Sequence, residues 1–249
     1  MPELLIRDLG ALNHTVRVLA LNRPGSRNAL DTALLRQLLD ALDRARADAR
    51  VRAVVLYGEG RGFCAGGDVK EFAGRSDALD RMLGRARLLA DALLALRRHP
   101  SPVVAAVHGM ALGAGAALAL AADLVVAAPD AQFGFPEFGD SVVPTVVMPL
   151  LLEQVPTKLA FDLLSTGRRL DANAAVRAGL ASRVSTADEP VEEAIAVAHG
   201  WATVPPVVAR ETKRLLYRAR KSTIEDALEA GLEVTAATWR PPGQASISP

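Results

Sequence analysis

Two segments rich in glycine and alanine carry the first candidate chemistry in this sequence. FCAGGD (63–68) and GMALGAGAA (109–117) each follow a short apolar stretch that predicts a buried strand, and each precedes a predicted helix. Small residues at such junctions leave backbone N–H groups open to an approaching ligand. Two N–H groups that converge on one oxygen would stabilise an oxyanion. Close packing of a strand against a helix explains the same composition equally well.

Other chemistries find less support in the sequence. GAGAAL (113–118) lacks the third glycine of the dinucleotide fingerprint, and no G-K-[ST] phosphate loop occurs. The four histidines have no metal-ligand spacing, so we predict no metal. His108 is expected to be a hydrogen-bonded structural residue, and Cys64 a small buried one. Ser141 and Ser165 lack the G-x-S-x-G context of a serine hydrolase.

The composition predicts one globular domain, or a domain with an appendage. The chain has 249 residues, half of them hydrophobic, and 29 basic against 28 acidic side chains give a net charge of +1. This balance argues against a protein that binds nucleic acid or a membrane surface. A single cysteine, an N-terminus without a leader pattern and interrupted apolar stretches predict a soluble cytoplasmic protein.

Predicted strands and helices alternate along most of the chain. The strands are expected at 15–21, 51–58 and 101–109, with two short ones around the Pro-Asp turn in 123–139. Helices are expected at 30–49, capped by Asn28 or Asp31, at 81–98, and after the second glycine-rich segment. This order predicts an α/β fold with mostly parallel strands.

The strand pattern stops at Val184, and the remaining chain predicts helices alone, at 189–201 and 207–235. We therefore place a boundary near residue 186. The core would span 1–186, a helical C-terminal region would span 187–240, and the Pro-, Gly- and Ser-rich residues 241–249 would form a disordered tail.

Five segments in register resemble the enoyl-CoA hydratase/isomerase (crotonase) family. They follow one another over residues 15–185 as NRPGSRNAL, GRGFCAGGDVKEF, VVAAVHGMALGAGAALALAAD, AQFGFPEFG and STGRRLDANAAVRAGLASRV. The resemblance implies an α/β spiral of repeated ββα units with a helical C-terminal region that packs oligomers. It also implies an acyl-CoA thioester as substrate, no further cofactor, and a homotrimer or a hexamer made of two trimers.

The resemblance also assigns the reacting groups. The backbone N–H groups of Gly67 and Ala114 would hold the thioester oxygen and stabilise an enolate. Glu137, in FPE, would transfer the proton. Ala117 stands where hydratases of this family usually carry a second glutamate. Asp140 could share a helical face with Glu137 and raise a pKa there, although a solvated or capping aspartate is the favoured interpretation.

Three functions stay open at this point. Hydration of a trans-2-enoyl-CoA is preferred, because one carboxylate can act first as a base and then as an acid. Double-bond isomerisation between the Δ3 and Δ2 positions is the alternative, but VVPTVV (142–147), where some isomerases place an acid, offers only Thr145. A non-catalytic acyl-CoA-binding protein is the alternative from another class.

Substrate contacts are expected around the first loop. Arg23, Arg27 and Lys70 resemble positions near the CoA phosphates and adenine, although a solvated surface charge is nearly as good an interpretation of each. Of Phe133 and Phe135, one is expected to line the acyl pocket and the other to face the core. The full set of candidate substrate-binding residues is Ala65, Asp68, Val69, Lys70, Arg27 and Phe135. The C-terminal TWRPPGQASISP departs from the family pattern, which usually ends in a further helix that helps to cover CoA and the trimer interface.

Overall fold

The computed structural model describes residues 2–10, 14–72, 77–186 and 189–239. Within these residues, six strands form the main sheet and three form a smaller one. The main sheet has the order β1 (Leu4–Leu9), β2 (Thr15–Leu21), β3 (Val51–Gly58), β4 (Val103–Val107), β6 (Leu124–Ala127) and β9 (Arg183–Val184). Its pairs are parallel except β1 with β2. The smaller sheet has the order β5 (Met110–Leu112), β7 (Gln132–Gly134) and β8 (Leu170–Asp171).

Helices connect the strands and then continue alone. The helices that lie between the strands are α1 (Thr32–Ala47), α2 (Ala78–Arg97), α3 (Ala114–Ala121), α4 (Met148–Gln154), α5 (Thr157–Thr166) and α6 (Ala172–Ala178). After the last strand come α7 (Pro190–Ala202), α8 (Pro206–Ala219) and α9 (Ile224–Thr238). The predicted α/β class with mostly parallel pairing is confirmed. None of the helices in the described ranges has the length and apolar character needed to cross a membrane.

The main sheet is buried on both faces, which explains why its strands read as nearly continuous apolar runs. Along β2, Leu19 and Leu21 face the large core that contains α1, α2 and α3. Val16, Val18 and Ala20 face the opposite side, where the small residues of α7 pack. The last strand ends close to the predicted boundary at 186. Because α7, which follows this boundary, packs on the main sheet, the division into a core and a C-terminal region stays a prediction.

Several local expectations need correction. The antiparallel edge strand β1 was not predicted. The single helix predicted at 207–235 is divided into α8 and α9. The Thr223 hydroxyl caps α9 by accepting from the Asp226 N–H at 3.2 Å. Asp31 caps α1 by accepting from the Leu34 N–H at 2.8 Å. Asn28 is instead fully buried. The predicted tail at 241–249 lies outside the described residues.

Candidate active site

In the first glycine-rich loop, the N–H of Gly67 points away from the neighbouring segment of the chain at Leu30. The Leu30 N–H donates to the Gly66 carbonyl at 2.8 Å, and the Asp68 N–H donates to the Leu30 carbonyl at 2.9 Å. Because a trans peptide directs its C=O and N–H to opposite sides, the Gly67 N–H points away from Leu30. This N–H is therefore not used in the bridge that fixes the loop.

The second loop runs beside the first because a short parallel bridge joins them. The Cys64 N–H donates to the Met110 carbonyl at 2.9 Å, and the Leu112 N–H donates to the Cys64 carbonyl at 3.0 Å. Gly113 then turns the chain into α3 with φ +50° and ψ −119°, and its N–H donates to the Gly134 carbonyl at 2.8 Å. Such a backbone conformation favours glycine.

Ala114 is the first residue of α3, as predicted from the sequence. The first helical hydrogen bond joins the Ala117 N–H to the Gly113 carbonyl at 3.0 Å. The helix therefore offers no acceptor to the Ala114 N–H, which also lies at the positive end of the helix dipole. The arrangement supplies an N–H donor suited to a developing negative charge.

Small residues are required where the two loops touch. A Cβ on Gly66 would lie 2.9 Å from the Leu112 carbonyl oxygen and 3.8 Å from the Ala114 nitrogen. A Cβ on Gly115 would lie 2.7 Å from the Cys64 Cβ and 2.8 Å from its Sγ. Close packing therefore accounts for glycine at these two positions, and the pairing of the Gly67 and Ala114 N–H groups on one oxygen stays a prediction.

Glu137 lies directly against the start of α3. It occupies a 3-10 turn at Pro136–Phe138, and its Oε1 lies 2.5 Å from the position that a Cβ on Gly113 would take. Its Oε2 is buried, and nothing among the described residues forms a hydrogen bond with it. Burial raises the pKa of the Glu137 carboxyl above its usual value, and the charge of Asp140 adds to the rise. A carboxyl with a raised pKa accepts a proton more readily as a base and can act in turn as a base and as an acid.

The surroundings of Glu137 contain one further carboxylate of interest and one notable alanine. The exposed Asp140 follows the turn, and its N–H donates to the Glu137 carbonyl at 3.1 Å. It acts on Glu137 through its charge. Ala117 is fully buried within α3, so this position supplies packing and no carboxylate.

The predicted substrate contacts at the first loop lie on its accessible rim. Ala65 is half-buried, and its N–H donates to the Arg27 carbonyl at 2.9 Å, which ties the exposed Arg27 to the loop. Val69 and Lys70 are exposed. Asp68 accepts from the Lys70 N–H at 3.1 Å and contributes to the shape of the loop. Direct contact of these residues with a substrate stays a prediction.

Arg23 is surrounded by acidic side chains. Its guanidinium group lies within 3.3 Å of Glu3, 3.0 Å of Asp31 and 3.1 Å of Asp68. Three carboxylates that come from distant parts of the sequence therefore engage this cation. Arg23 stabilises the fold beneath the first loop through these ion pairs, and its proximity to a CoA phosphate stays a prediction.

The two phenylalanines before Glu137 also differ from expectation. Phe133 and Phe135 are both buried in the same large core. Side chains two residues apart in extended chain lie on the same face, so alternation places both rings on one side, and the expectation misapplied this rule. The expectation that only one of the two rings faces the core was wrong, and a substrate contact of Phe135 stays a prediction.

The remaining candidates behave as structural residues. Cys64 is fully buried, its Sγ lies 3.0 Å from the Asn28 carbonyl oxygen, and burial raises the pKa of its thiol to about 12. A thiol in this state is a poor nucleophile. His108 forms a hydrogen bond with the Gly60 carbonyl at 2.9 Å, as predicted. In the described part of the chain, no three His, Cys, Asp or Glu side chains are grouped as metal ligands; the absence of a metal stays a prediction.

Comparison with known proteins agrees with this geometry. The family model for enoyl-CoA hydratase/isomerase matches residues 11–241. The chain belongs to the enoyl-CoA hydratase/isomerase family. It is 36% identical over 233 residues to 2,3-dehydroadipyl-CoA hydratase from Escherichia coli K12, which covers 93% of this chain and 87% of that protein.

Solved structures of family members superpose on the chain over nearly its whole length. The crystal structure of an enoyl-CoA hydratase from Mycobacterium smegmatis matches with a TM-score of 0.86 and 33% identity, over 97% of this chain and 93% of that one. An enoyl-CoA hydratase from Bacillus anthracis matches with a TM-score of 0.86 and 30% identity, over 93% and 89%. The crotonase fold predicted from the sequence is thereby confirmed.

In this family member, two features of the site were missed by sequence reasoning. The contact between Gly113 and Glu137 joins residues from two separate segments, and only the wider motif register hinted at it. Arg85 of α2 donates to the Asp68 carbonyl next to Gly67. No pattern around position 85 distinguishes this arginine from the other arginines of the helix.

Proposed function

We propose that this protein binds an acyl-CoA thioester and adds water to a trans-2-enoyl-CoA. The observation that carries the proposal is the position of Glu137, a half-buried residue with a raised carboxyl pKa that lies against Gly113, immediately before the first N–H groups of α3. The N–H groups of Gly67 and Ala114 would donate to the thioester oxygen. A carboxyl and two N–H donors at one loop junction suit the formation of an enolate.

The proposed reaction uses Glu137 twice. Its carboxylate accepts a proton from water while the water oxygen forms a bond to C3 of the enoyl group. The electrons of the C2–C3 double bond move toward the thioester carbonyl, and the Gly67 and Ala114 N–H groups stabilise the resulting enolate oxygen. The protonated Glu137 then returns its proton to C2 as the enolate collapses. The product is the 3-hydroxyacyl-CoA, and the carboxylate is regenerated.

The alanine at position 117 favours isomerisation as the second candidate. Because this helix provides no carboxylate at Ala117, water would be held by Glu137 without help from a second acid at that position. Isomerisation needs no water. Glu137 would remove a proton from C2 of a 3-enoyl-CoA and return it at C4, with the same enolate stabilised by the two N–H groups. A protein that binds acyl-CoA without turnover is the third candidate.

The absorbance of the conjugated enoyl thioester separates these functions. Purified wild type, Glu137→Gln and the exposed control Glu192→Gln are incubated with crotonyl-CoA. We expect wild type and the control to remove the absorbance, and Glu137→Gln to lose about two orders of magnitude or more in rate. Formation of conjugated absorbance from a 3-enoyl-CoA, with crotonyl-CoA untouched, would favour isomerisation instead. Binding without turnover of either compound would favour the non-catalytic function.

A second substrate belongs in the same assay. The name of the Escherichia coli relative specifies an enoyl-CoA whose acyl chain ends in a carboxylate. We include 2,3-dehydroadipyl-CoA beside crotonyl-CoA, because the ratio of their kcat/KM values reports how the acyl pocket treats a terminal charge.

We also propose that the C-terminal helices pack against further copies of this chain in a trimer or a hexamer. Ile224, Leu228 and Leu232 are strongly exposed and spaced four residues apart, so they form a stripe on one side of α9. Leu216 of α8 and Trp239 extend the exposed apolar surface. Light scattering after size-exclusion chromatography should give a trimer or hexamer for wild type and smaller species for Leu228→Asp. A monomeric wild type at micromolar concentration would contradict the proposal.

A further inference from the structure

Arg85 brings a cation from α2 to the first glycine-rich loop. Its side chain is only 16% exposed, and its Nη1 donates to the Asp68 carbonyl oxygen. Its Nη2 lies 3.2 Å, and its Cζ 3.4 Å, from the position that a Cβ on Gly67 would take. The guanidinium group therefore lies directly beside the residue whose N–H is proposed to meet the thioester oxygen.

The same Nη1 of Arg85 also faces Glu71. The two side chains form an ion pair at 3.7 Å. Glu71 in turn accepts from the N–H of Thr32, the first residue of α1, at 3.2 and 3.3 Å. Arg85 thus connects α2, the first loop and the beginning of α1 through two charged contacts.

The carbonyl groups before and after Gly67 accept hydrogen bonds from different residues. The Gly66 carbonyl is held by Leu30, and the Asp68 carbonyl is held by Arg85. Gly67 between them has no side chain to limit its φ and ψ angles, and glycine samples a wider range of conformations than other residues. Leu30 also accepts from the Asp68 N–H, so it orients both peptide groups that flank Gly67, and Arg85 adds a contact at the next carbonyl that holds this segment of the loop in place.

We propose that Arg85 is a positioning residue that keeps the Gly67 N–H directed at the thioester oxygen. The proposal rests on the proposed function, since it assumes that this N–H stabilises an enolate. The bridge to Leu30 orients the loop, and Arg85 adds a second restraint from α2 through the Asp68 carbonyl and its packing beside Gly67.

The test measures enolate stabilisation at equilibrium and does not require turnover. An acetoacetyl thioester loses a C2 proton to give an enolate that absorbs in the near ultraviolet, and donors on its oxygens increase the bound enolate fraction. We compare wild type, Arg85→Met and Arg85→Lys. The matched control is Arg87→Met, on the same helix, whose side chain is 80% exposed and pairs only across the surface with Asp91 at 3.4 Å. Calorimetry gives the Kd of acetoacetyl-CoA, and thermal unfolding verifies the fold.

We expect Arg85→Met to reduce the enolate fraction and kcat by about ten- to a hundredfold, the range expected for a misdirected donor. The Kd of acetoacetyl-CoA should rise only as far as the lost enolate accounts for, and Arg87→Met should behave as wild type. Arg85→Lys should lie between the two, because lysine keeps the positive charge but its ammonium group ends short of the position of Nη1. Guanidinium ion at non-denaturing concentration should partly restore the enolate fraction in Arg85→Met, which a merely structural role would not produce.

Several outcomes would overturn the proposal. An unchanged enolate fraction in folded Arg85→Met would show that the restraint is unnecessary. A loss of acetoacetyl-CoA affinity larger than the lost enolate accounts for would make Arg85 a ligand-binding residue. If Arg85→Met does not fold, an unchanged enolate fraction in Arg85→Lys refutes the proposal in the same way. Absence of enolate in wild type would remove its premise. Failure of crotonyl-CoA hydration alone, with the enolate formed in wild type and lost in Arg85→Met, would overturn the hydratase function and support this inference.

Discussion

Replacement of Gly113 by alanine should disable the site while the protein remains folded. A Cβ at this position would lie 2.5 Å from Glu137 Oε1, and the next nearest atom is Glu137 Cδ at 3.2 Å. The end of a flexible side chain can move more easily than backbone. The predicted response of Gly113→Ala is therefore a displacement of the Glu137 carboxyl away from the start of α3.

The magnitude follows from two separate effects. The φ of +50° at Gly113 costs an alanine on the order of 1–3 kcal/mol. For a chain of this size, that loss lowers the Tm by roughly 2–4 °C per kcal/mol. The carboxyl must retreat by about 1 Å to reach van der Waals separation. A misplacement of about 1 Å at a reacting group can cost about a hundredfold in rate.

The assay compares Gly113→Ala with Gly179→Ala. Gly179 also has a positive φ, +87°, and its Cβ would meet the Gln154 carbonyl at 3.2 Å. Thermal unfolding should show losses of similar size for the two variants. The rate of enoyl-CoA turnover, or of exchange at C2 if turnover is absent, should fall about a hundredfold in Gly113→Ala alone. Equal rates in the two variants would refute the reasoning.

Three further predictions test charge and burial. Asp140→Asn should move the acid limb of the kcat/KM profile to lower pH, because the active carboxylate of Glu137 then has a lower pKa; an unmoved limb would contradict this. Glu137→Gln should stabilise the protein more at neutral pH than below pH 4.5. The raised pKa of Glu137 means that ionisation of this carboxyl destabilises the folded state as pH rises, and glutamine removes that cost. Denaturant titrations at both pH values measure the difference. Lys213→Met should destabilise the fold by about 3 kcal/mol, because the buried Lys213 Nζ lies 2.7 Å from Asp123 and 3.2 Å from the Leu96 carbonyl; a denaturation midpoint equal to wild type would refute it.

The sequence predicted those parts of the fold that depend on local pattern. The apolar runs at β2, β3 and β4 are buried on both faces of a parallel sheet, and the small residues before Ala114 lead directly into a helix. The edge strand β1 was missed because only Leu4 in LLIRDL is buried. A strand with mostly exposed residues leaves little periodic signal.

The parts of the site that were missed depend on contacts between distant segments. Arg23 and Arg85 are ordinary arginines in the sequence, yet one is surrounded by Glu3, Asp31 and Asp68 and the other reaches the Asp68 carbonyl. Phe135 was misjudged because residues two apart in extended chain, such as Phe133 and Phe135, lie on the same face. Charged residues that meet only in the folded protein have no fixed spacing in the sequence, so a single sequence does not reveal that they are partners.

Exchange of the C2 protons of butyryl-CoA in D2O tests the central claim most directly. It requires enolate formation at the Gly67 and Ala114 N–H groups and proton transfer by Glu137, but neither water addition nor isomerisation. Wild type is predicted to incorporate deuterium at C2, and Glu137→Gln to do so about a hundredfold more slowly or worse. No exchange above the buffer rate with wild type, or equal exchange with Glu137→Gln, would contradict the account.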